Sequence, residues 1–256
     1  MAGYMKRLFR GFCMSFSMFC SVPFPFHIWD ESCHNLVLLF FPVIGAFMGL
    51  LWWGIIELLL MSGIHPVLTS AAAGLVPYIA AGFLHLDGYM DTCDAVLSRR
   101  PVEEKLRILK DPHTGSFAVI MLAVLFILQF AAAFVIIEKG NYIKLLITIP
   151  VISRCCSAFS IMCLKKMEQS GYANMFGKNI TARHKIFIII ILILAAALSF
   201  YLAGINGLIA TAAIMAGFTA AMAYKYNNLG GVSGDLAGCA LVTGELCGLI
   251  AMAVIQ

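Results

Sequence analysis

The sequence has few charged residues: Lys, Arg, Asp and Glu make up 12% of its 256 residues, about half the share usual in a soluble domain. Hydrophobic residues make up 62%, and the mean hydropathy is +0.95. A chain of this composition cannot cover itself with polar surface, which excludes a soluble globular protein. The composition therefore predicts a polytopic membrane protein in contact with the lipid bilayer.

Several functional patterns are also missing. The nine cysteines form no CxxC pair and the six histidines show no ligand spacing, so packing in helices is the favoured interpretation of the cysteines. The net charge of +4 indicates no nucleic-acid partner. No cleavable signal peptide is evident, because Pro23 and Pro25 follow the first apolar run. Residues 5–20 are predicted to form a helix at the membrane surface.

Long apolar runs indicate seven membrane-spanning helices, since about 20 apolar residues cross a bilayer. The predicted spans are 36–60, 64–84, 114–137, 145–163, 186–204, 208–224 and 236–256. Gly45, Gly49 and Gly54 lie in the first span, and this spacing is typical of close helix packing. Residues 165–185 and 225–235 are predicted to be polar loops. The predicted fold class is all-α, a polytopic transmembrane helical bundle.

The distribution of positive charge predicts an orientation. Fourteen of the 17 Lys and Arg residues fall on one side of this layout, in the N-terminus and the segments 82–117, 165–185 and 225–235. The positive-inside rule places that side in the cytoplasm, so the N-terminus is expected to be cytoplasmic and the C-terminus outside. We expect one integral membrane domain over 1–256, with no separate soluble domain.

The segment 82–117 holds six of the 13 carboxylates in the chain. Asp87, Asp91 and Asp94 are spaced i, i+4 and i+7, which places them on one face if the end of the preceding helix runs through them. Like charges in that arrangement repel, so a cation is expected among them. Mg²⁺ is the favoured cation because it binds through one or two carboxylates plus substrate phosphates. These aspartates are therefore the predicted metal ligands and catalytic residues.

Lys110 and Asp111 follow in the same segment. Lys110 is predicted to neutralise a phosphate oxygen and Asp111 to join the metal shell, and the alternative is an ordinary break before the next helix. Arg154 lies inside an apolar span, where it is interpreted either as a guanidinium that binds phosphate or pairs with an Asp, or as a residue that reaches the interface.

Two more carboxylates border the last span. Asp235 is interpreted either as a helix cap or as a further carboxylate at the depth of Asp87. Glu245 lies about ten residues into that span, where burial without a partner is costly. It is predicted to lie in or beside the site, with Arg154 as an alternative structural partner.

Four basic or titratable residues are further candidates for binding substrate. His85 precedes the aspartates and is more often a hydrogen-bonded bystander than a base. Arg99, Arg100 and Arg107 either satisfy the positive-inside rule alone or contact an anionic substrate.

Two consecutive motifs indicate a family. The run HLDGYMDTCDAVLS, followed by ILKDPHTGSFAVIML, resembles the signature of the cobalamin synthase (adenosylcobinamide-GDP ribazoletransferase) family. Other stretches agree with it: FFPVIGAFMG at 40–49, SRCCS around Arg154, SGYANMF at 170–176 and GGVSGDLAGCALVTGE at 230–245. The resemblance covers nearly the whole chain. Tyr89, Met90 and Ala118 depart from the expected pattern, but no charged position is lost.

The resemblance implies a multi-pass enzyme of the cytoplasmic (inner) membrane with its active site facing the cytoplasm. It implies that adenosylcobinamide-GDP is joined to α-ribazole, or to its 5′-phosphate, with release of GMP in the presence of Mg²⁺. The expected partners are these substrates, the lipid bilayer and other enzymes of nucleotide-loop assembly.

The resemblance also suggests roles for the predicted residues. The three spaced aspartates would hold Mg²⁺ on the pyrophosphate, and the metal with Lys110 or Arg154 would stabilise charge on the phosphate and on leaving GMP. Asp94 or Asp111 would accept the proton of the ribazole 5′-hydroxyl.

Three alternatives remain open from the residues alone. A membrane phosphotransferase of CDP-alcohol type also uses an Asp-rich helix, but the longer acid spacing expected there is absent. A transporter would carry its site near the bilayer midplane, whereas here the acids cluster at one face and only Arg154, Glu57 and Glu245 lie deeper. A non-catalytic anchor would leave the acidic cluster unexplained.

Overall fold

The computed structural model describes residues 2–168 and 170–255. Within these ranges the chain forms eleven α-helices and two short 3₁₀ helices. The α-helices are α1 (Ala2–Phe19), α2 (His34–Met61), α3 (Pro66–Ala80), α4 (Leu84–Leu97), α5 (Val102–Ile108), α6 (Ser116–Lys139), α7 (Ile149–Cys163), α8 (Gly171–Phe176), α9 (Ala182–Ala203), α10 (Ile205–Leu229) and α11 (Gly234–Val254). The 3₁₀ helices are Glu31–Cys33 and Ile143–Ile147.

Most of the helices are membrane-spanning in length and composition. Among the described residues, six helical segments are long and apolar enough to cross a membrane, and the bent pair α3 and α4 is a candidate for a seventh. The six are Glu31–Met61, Ser116–Lys139, Ile143–Cys163, Ala182–Ala203, Ile205–Leu229 and Gly234–Val254. The predicted all-α membrane protein with about seven spans is confirmed, and the predicted N-terminal helix is α1.

The bundle has an inner and an outer set of helices. In the span that contains α7, 83% of the most apolar stretch is buried, compared with 17% in α9. α11 contacts α4, α6, α7 and α10, so it lies at the centre with α7. The large apolar side chains of α9, such as Ile190, Ile193 and Leu194, are exposed. A surface of that kind, on a helix long and apolar enough to span a membrane, is typical of a face that contacts lipid.

Two of the three glycines singled out in α2 allow close helix contact. A Cβ added at Gly45 would lie 2.6 Å from the backbone oxygen of Pro150, and one added at Gly49 would overlap the backbone oxygen of Ile147. A Cβ at Gly54 would have nothing within 4 Å. The predicted close packing therefore holds for Gly45 and Gly49, and it joins α2 to the region around α7.

The boundary predicted after residue 224 is wrong. α10 continues to Leu229, and Gly230, with a φ of +76°, ends it. Lys225 is therefore a buried helical residue and not part of a loop. Its ammonium group lies 5.5 Å from the centroid of the Tyr89 ring and contacts the sulfur of Cys239. The helix extends this far because these neighbours accommodate a cation that the sequence pattern assigned to solvent.

The last turn of α10 is held by α5. The Nζ of Lys105 donates a hydrogen bond to Oδ1 of Asn228 at 2.7 Å, and Lys105 is buried. The Asn-rich stretch before Gly230 therefore stays helical because α5 binds one of its side chains.

The four segments predicted to share one side of the membrane meet in the structure. The nitrogen of Ser21, which follows α1, donates to the oxygen of Ala80 at the end of α3 at 2.8 Å. Lys166 and Val232 form an isolated parallel β-bridge, which joins the connection after α7 to the connection before α11. α4 packs against α11. All four polar segments therefore lie at one end of the bundle.

Candidate active site

The acidic helix begins after a sharp turn. The axes of α3 and α4 differ by 93°, and the turn is closed by a hydrogen bond from the nitrogen of Phe83 to the oxygen of Tyr78 at 2.8 Å. Gly82 and Phe83 have φ values of +60° and 61°, a left-handed conformation that is uncommon for a bulky residue. The aspartates therefore lie on a separate helix, and the expectation that the preceding helix runs through them is wrong.

α4 divides its side chains between two faces. Asp87 is exposed, and Asp91 and Asp94 are half-buried, so the three carboxylates line the open face of the helix. His85 and Thr92 lie on the buried face. The i, i+4, i+7 spacing predicts this grouping, and the structure bears it out.

Asp235 is a fourth carboxylate at this face. A Cβ added at Gly88 would lie 2.7 Å from the Cα of Asp235, so the absence of a side chain at Gly88 lets the first turn of α11 approach α4. The cap of α11 is Ser233, whose Oγ accepts a hydrogen bond from the nitrogen of Leu236 at 3.1 Å. Asp235 is exposed and is not needed to cap its helix.

The four aspartates form a concentrated negative charge. The carboxylate of Asp91 is repelled by those of Asp87, Asp235 and Asp94. Within residues 2–168 and 170–255, no Lys, Arg or His side chain forms an ion pair with any of the four. The negative charge of this group, which we call the aspartate cluster, is therefore not paired with any described cationic side chain and favours a cationic ligand.

Asp94 also joins α4 to the start of α6. A Cβ added at Gly115 would overlap the carboxylate of Asp94, so Gly115 provides the space that this side chain fills. Gly115 is the N-cap residue directly before α6, and the amino end of a helix carries partial positive charge. The glycine of the KDPHTGSF motif thus positions the last aspartate of the preceding motif.

The aspartate cluster resembles a site for an ion that is shared with a substrate. In the described part of the chain, no three His, Cys, Asp or Glu side chains are arranged to hold a metal by themselves. Mg²⁺ commonly binds through one or two carboxylates, with water and phosphate oxygens completing its shell. A set of carboxylate oxygens on one open face, without converging on one point, fits Mg²⁺ held in that way.

Lys110 lies at the edge of the aspartate cluster. It lines a small pocket together with Asp235, Ser233, Leu106 and Met167. Lys110 is exposed, so its ammonium group is free to meet a phosphate. The structure thus brings the predicted phosphate-binding cation close to the fourth carboxylate.

Asp111 is occupied in a turn. The backbone N–H of His113 donates to its Oδ1 at 3.0 Å, and the His113 ring nitrogen Nδ1 lies 2.7 Å from the same oxygen. These hydrogen bonds lower the pKa of Asp111. Asp111 therefore shapes the loop that carries Lys110 and Gly115, and it is absent from the carboxylates that act on Asp91.

The three arginines after α4 differ in their partners. Arg107 donates to the two oxygens of Glu104 at 3.1 and 2.7 Å, and Arg100 lies 3.7 Å from the same carboxylate. Arg99 is exposed and forms no ion pair with any described residue. Of the three, Arg99 is the one best placed to meet an anionic substrate.

Arg154 and Glu245 form an ion pair inside the bundle. Nη1 of Arg154 lies 2.8 Å from Oε1 of Glu245, and Oγ of Ser153 donates to the same oxygen at 2.7 Å. Only 2% of Arg154 and 5% of Glu245 is exposed. The guanidinium group also lies over the ring of Phe41. The structure thus joins Arg154 to Glu245, which is the structural alternative weighed for Glu245. Arg154 neither pairs with an Asp nor reaches the interface, since it is buried.

His85 is a packed residue behind the aspartates. Its ring stacks on Phe19 at a centroid distance of 6.0 Å and contacts Phe41 at 5.6 Å. Its Nε2 is buried and has no hydrogen-bond partner within the described ranges. The aromatic contacts favour a packed residue over a base, but the hydrogen bond expected of a bystander is not formed by Nε2 with any described residue.

Comparison with known proteins assigns the chain to a family. The family model for cobalamin-5-phosphate synthases matches residues 11–253. The chain belongs to the cobalamin-5-phosphate synthase family. This match includes all the elements that form the aspartate cluster.

Three relatives are similar to the chain over most or all of their length. The chain is 38% identical over 245 residues to a protein of Clostridium botulinum strain Eklund 17B, which covers 96% of this chain and 97% of the relative. It is 37% identical over 254 residues to one of Clostridium perfringens strain SM101, covering 98% and 100%. A protein of Pseudomonas fluorescens strain SBW25 is 30% identical over 219 residues, covering 85% and 88%. Each of the three is named adenosylcobinamide-GDP ribazoletransferase.

No solved structure matches the chain.

The structure of this cobalamin-5-phosphate synthase family member also places residues near the candidate site that its motifs do not single out. Lys165 and Lys166 line a pocket with Leu106 and Met167 beside the one that contains Lys110. From the sequence, they were interpreted only as positive charges of a polar loop. The β-bridge between Lys166 and Val232 places both lysines here. The only sequence signal for this bridge is the glycine pair that precedes Val232.

Proposed function

We propose that this chain is an adenosylcobinamide-GDP ribazoletransferase of cobalamin synthesis, embedded in the membrane. It joins adenosylcobinamide-GDP to α-ribazole or α-ribazole 5′-phosphate and releases GMP. Full-length similarity to relatives of that name supports the activity. The structural observation that carries the proposal is the aspartate cluster, which lies beside Lys110 and has no balancing cation among the described residues.

The bond changes define what the site must do. A free ribose hydroxyl oxygen of the ribazole forms a bond to the phosphorus next to the aminopropanol arm of the corrinoid. This oxygen is not the 5′-oxygen expected from the sequence, because that oxygen already carries phosphate in α-ribazole 5′-phosphate. The bond from that phosphorus to the bridging oxygen of the pyrophosphate breaks, and its electron pair stays on GMP. Negative charge therefore develops on the bridging oxygen, where a nearby cation lowers the barrier. Lys110 is suited to that role because it is exposed at the edge of the cluster.

Mg²⁺ is the cofactor that we propose for this site. Asp87 and Asp91 would be its ligands, and Asp94 and Asp235 would complete the negative surface around it. When bound, the ion supplies positive charge to the pyrophosphate oxygens. The donor set fits this assignment because carboxylate oxygens suit a hard cation and because the repulsion at Asp91 is otherwise uncompensated.

A base must accept the proton of the attacking ribose hydroxyl, and we assign this role to an Oδ of Asp94. Asp94 shares the open face of α4 with Asp87 and Asp91. Asp111, the other candidate, is held by His113, and the resulting lower pKa makes it a weaker base.

We further propose that the polar end of the bundle faces the cytoplasm and that 1–256 is one membrane domain with a cytoplasmic N-terminus. Fourteen of the 17 Lys and Arg residues belong to the segments at that end, as the positive-inside rule requires. The cytoplasm is also where phosphorylated substrates and Mg²⁺ occur. Other enzymes of nucleotide-loop assembly would meet the protein on this face.

The test replaces the proposed metal ligands one at a time. Asp87→Asn and Asp91→Asn should each lower GMP release from the two substrates by about 100-fold or more at limiting Mg²⁺, because charge stabilisation at the transition state is lost. Release is measured with purified protein across a Mg²⁺ titration, and chelation of Mg²⁺ should stop the unmodified enzyme.

Glu138→Gln is the matched control, since Glu138 is an exposed carboxylate at the far end of α6. It should leave turnover unchanged. Near-normal turnover of both aspartate variants at limiting Mg²⁺ would show that the metal role is wrong.

The transporter alternative has little support from the deep charges. Glu245 is paired with Arg154 and receives a hydrogen bond from Ser153, so it is not a carboxylate that awaits an ion. Membership of the cobalamin-5-phosphate synthase family likewise disfavours the CDP-alcohol alternative. Substrate uptake by vesicles, compared with product formation in detergent, separates transport from catalysis.

A further inference from the structure

A basic cleft extends from the aspartate cluster along α5. It consists of two adjoining pockets that share Leu106 and Met167. The first pocket contains Asp235 and Lys110, and the second contains Lys165 and Lys166 and ends at Leu229, Gly230 and Glu168. The cleft therefore begins at a member of the aspartate cluster and continues to three lysines.

The wall that carries Lys165 and Lys166 is fixed in place by backbone pairing. The nitrogen of Val232 donates to the oxygen of Lys165 at 2.9 Å, and the nitrogen of Met167 donates to the oxygen of Val232 at 3.0 Å. A Cβ added at Gly231 would lie 2.8 Å from the nitrogen of Met167. Only glycine permits this close approach of the two backbones. The wall of the cleft is therefore held in one position by backbone hydrogen bonds and close packing.

Of the two lysines in the second pocket, one is available to a ligand. Nζ of Lys166 donates to the backbone oxygen of Gly177 at 3.1 Å, which fixes that ammonium group within its own loop. Lys165 is exposed and forms no ion pair or side-chain hydrogen bond that the described residues show. Glu168 is the one carboxylate at the far end, so the lysines give the cleft a net positive charge.

We propose that this basic cleft binds the guanylate half of the dinucleotide-like substrate and holds GMP as it leaves, with Lys165 as a phosphate-binding residue. The inference rests on the proposed function and extends it to the direction in which the substrate lies. The attacked phosphorus is at the aspartate cluster, the phosphate of the GMP half lies towards Lys110 and Lys165, and the corrinoid lies on the other side.

Charge development explains why the leaving half takes the basic end. The phosphorus that is attacked ends the reaction as a phosphodiester with one negative charge. The phosphate of GMP gains the electron pair of the broken bond and becomes a monoester, which carries about −1.5 to −2 charges at neutral pH. The half whose charge rises gains more from three lysines than the half whose charge does not.

The size of the cleft excludes the corrinoid half. Its pockets have volumes of about 60 and 190 Å³ and lie between one short helix, α5, and two paired connections. A corrin ring with its amide side chains is far larger and requires an open surface.

The test measures GMP binding directly. Equilibrium dialysis of purified protein with GMP and Mg²⁺ should show that Lys165→Gln raises the dissociation constant by about tenfold, the usual size of a charge-assisted phosphate contact. Lys178→Gln is the control, because Lys178 is an exposed lysine of the same loop outside the cleft. It should bind GMP as the unmodified protein does, and guanosine should bind both variants equally.

Kinetics give a second readout. Lys165→Gln should raise KM for adenosylcobinamide-GDP and leave KM for α-ribazole unchanged. Unchanged GMP binding, or a change in KM for α-ribazole alone, would overturn the assignment of the cleft while product formation upheld the proposed function. If the unmodified protein forms no corrinoid product from the two substrates, the proposed function itself fails.

Discussion

Two groups of charges in this apolar chain have opposite surroundings. Arg154 and Glu245 lie in the interior with each other and with Ser153 as partners. The aspartate cluster lies on an open face, where the carboxylates repel one another and none of the described cationic side chains pairs with them. Charges that are satisfied within the protein hold helices together, whereas charges left unbalanced are available to a ligand.

The largest expected effect breaks the interior pair. Glu245→Leu should destabilise the protein by about 3–5 kcal/mol, because Arg154 would remain buried without a partner. Asp91→Asn should leave stability equal or higher, because it relieves repulsion within the aspartate cluster. Thermal unfolding of the detergent-purified variants, followed by tryptophan fluorescence, measures both.

The double variant Arg154→Met with Glu245→Leu is the control for this comparison, since removing both charges avoids the unpaired one. It should recover most of the lost stability. Equal losses in Glu245→Leu and Asp91→Asn would contradict the distinction between the two groups of charges.

A smaller effect is expected at the contact that brings Asp235 to α4. Gly88→Ala should destabilise the protein by about 1–3 kcal/mol, because the new methyl group would press against the backbone of Asp235. It should also raise the Mg²⁺ concentration needed for half-maximal turnover. Unfolding curves and a Mg²⁺ titration of GMP release measure the two effects.

Gly74→Ala provides the matched control, because a Cβ at this helical position in α3 would have nothing within 4 Å. It should be neutral or should stabilise the protein by up to about 1 kcal/mol. If both alanine variants have the same Mg²⁺ requirement as the unmodified protein, the position of Asp235 is unrelated to metal binding.

The smallest effect extends the comparison to the surface arginines. Arg99→Gln should raise KM for adenosylcobinamide-GDP by about two- to fivefold, the range of a single exposed charge, because Arg99 has no ion-pair partner among the described residues. Arg107→Gln should leave KM unchanged, since Glu104 already binds this arginine. If Arg107→Gln raised this KM more than Arg99→Gln, unpaired charges would not be the ones that meet the substrate in this region.

The sequence predicts the membrane-spanning helices well because a bilayer requires runs of about 20 apolar residues, and such runs are evident without any knowledge of tertiary contacts. Its errors occur where tertiary contacts override local pattern. The sequence predicts the end of α10 too early because Lys225 and Asn228 are residue types common in loops. In the structure, Lys225 contacts Tyr89 and Cys239, and Asn228 accepts a hydrogen bond from Lys105, so the helix continues. The turn before α4 was missed because its left-handed Phe83 has no sequence signal.

In the candidate site, too, local sequence pattern predicts some features and tertiary contacts determine the others. The spacing of Asp87, Asp91 and Asp94 fixes their common face because helix periodicity is local. Asp235 joins them through the absence of a side chain at Gly88, and that partnership spans more than a hundred residues of sequence. The motif stretches marked these positions as related, but only the packing of α4 against α11 shows that they are neighbours.

The right-angle turn after α3 has a consequence for the surrounding lipid. α3 has 15 residues and rises only about 22 Å, which is less than the hydrocarbon core of about 30 Å. In a bilayer the turn would lie below the level at which the longer helices emerge, and the headgroup layer must dip to reach it. A substrate that arrives from water would then reach the site through a shallow depression in the membrane surface, bordered by lipid headgroups, with the first turn of α4 at its base.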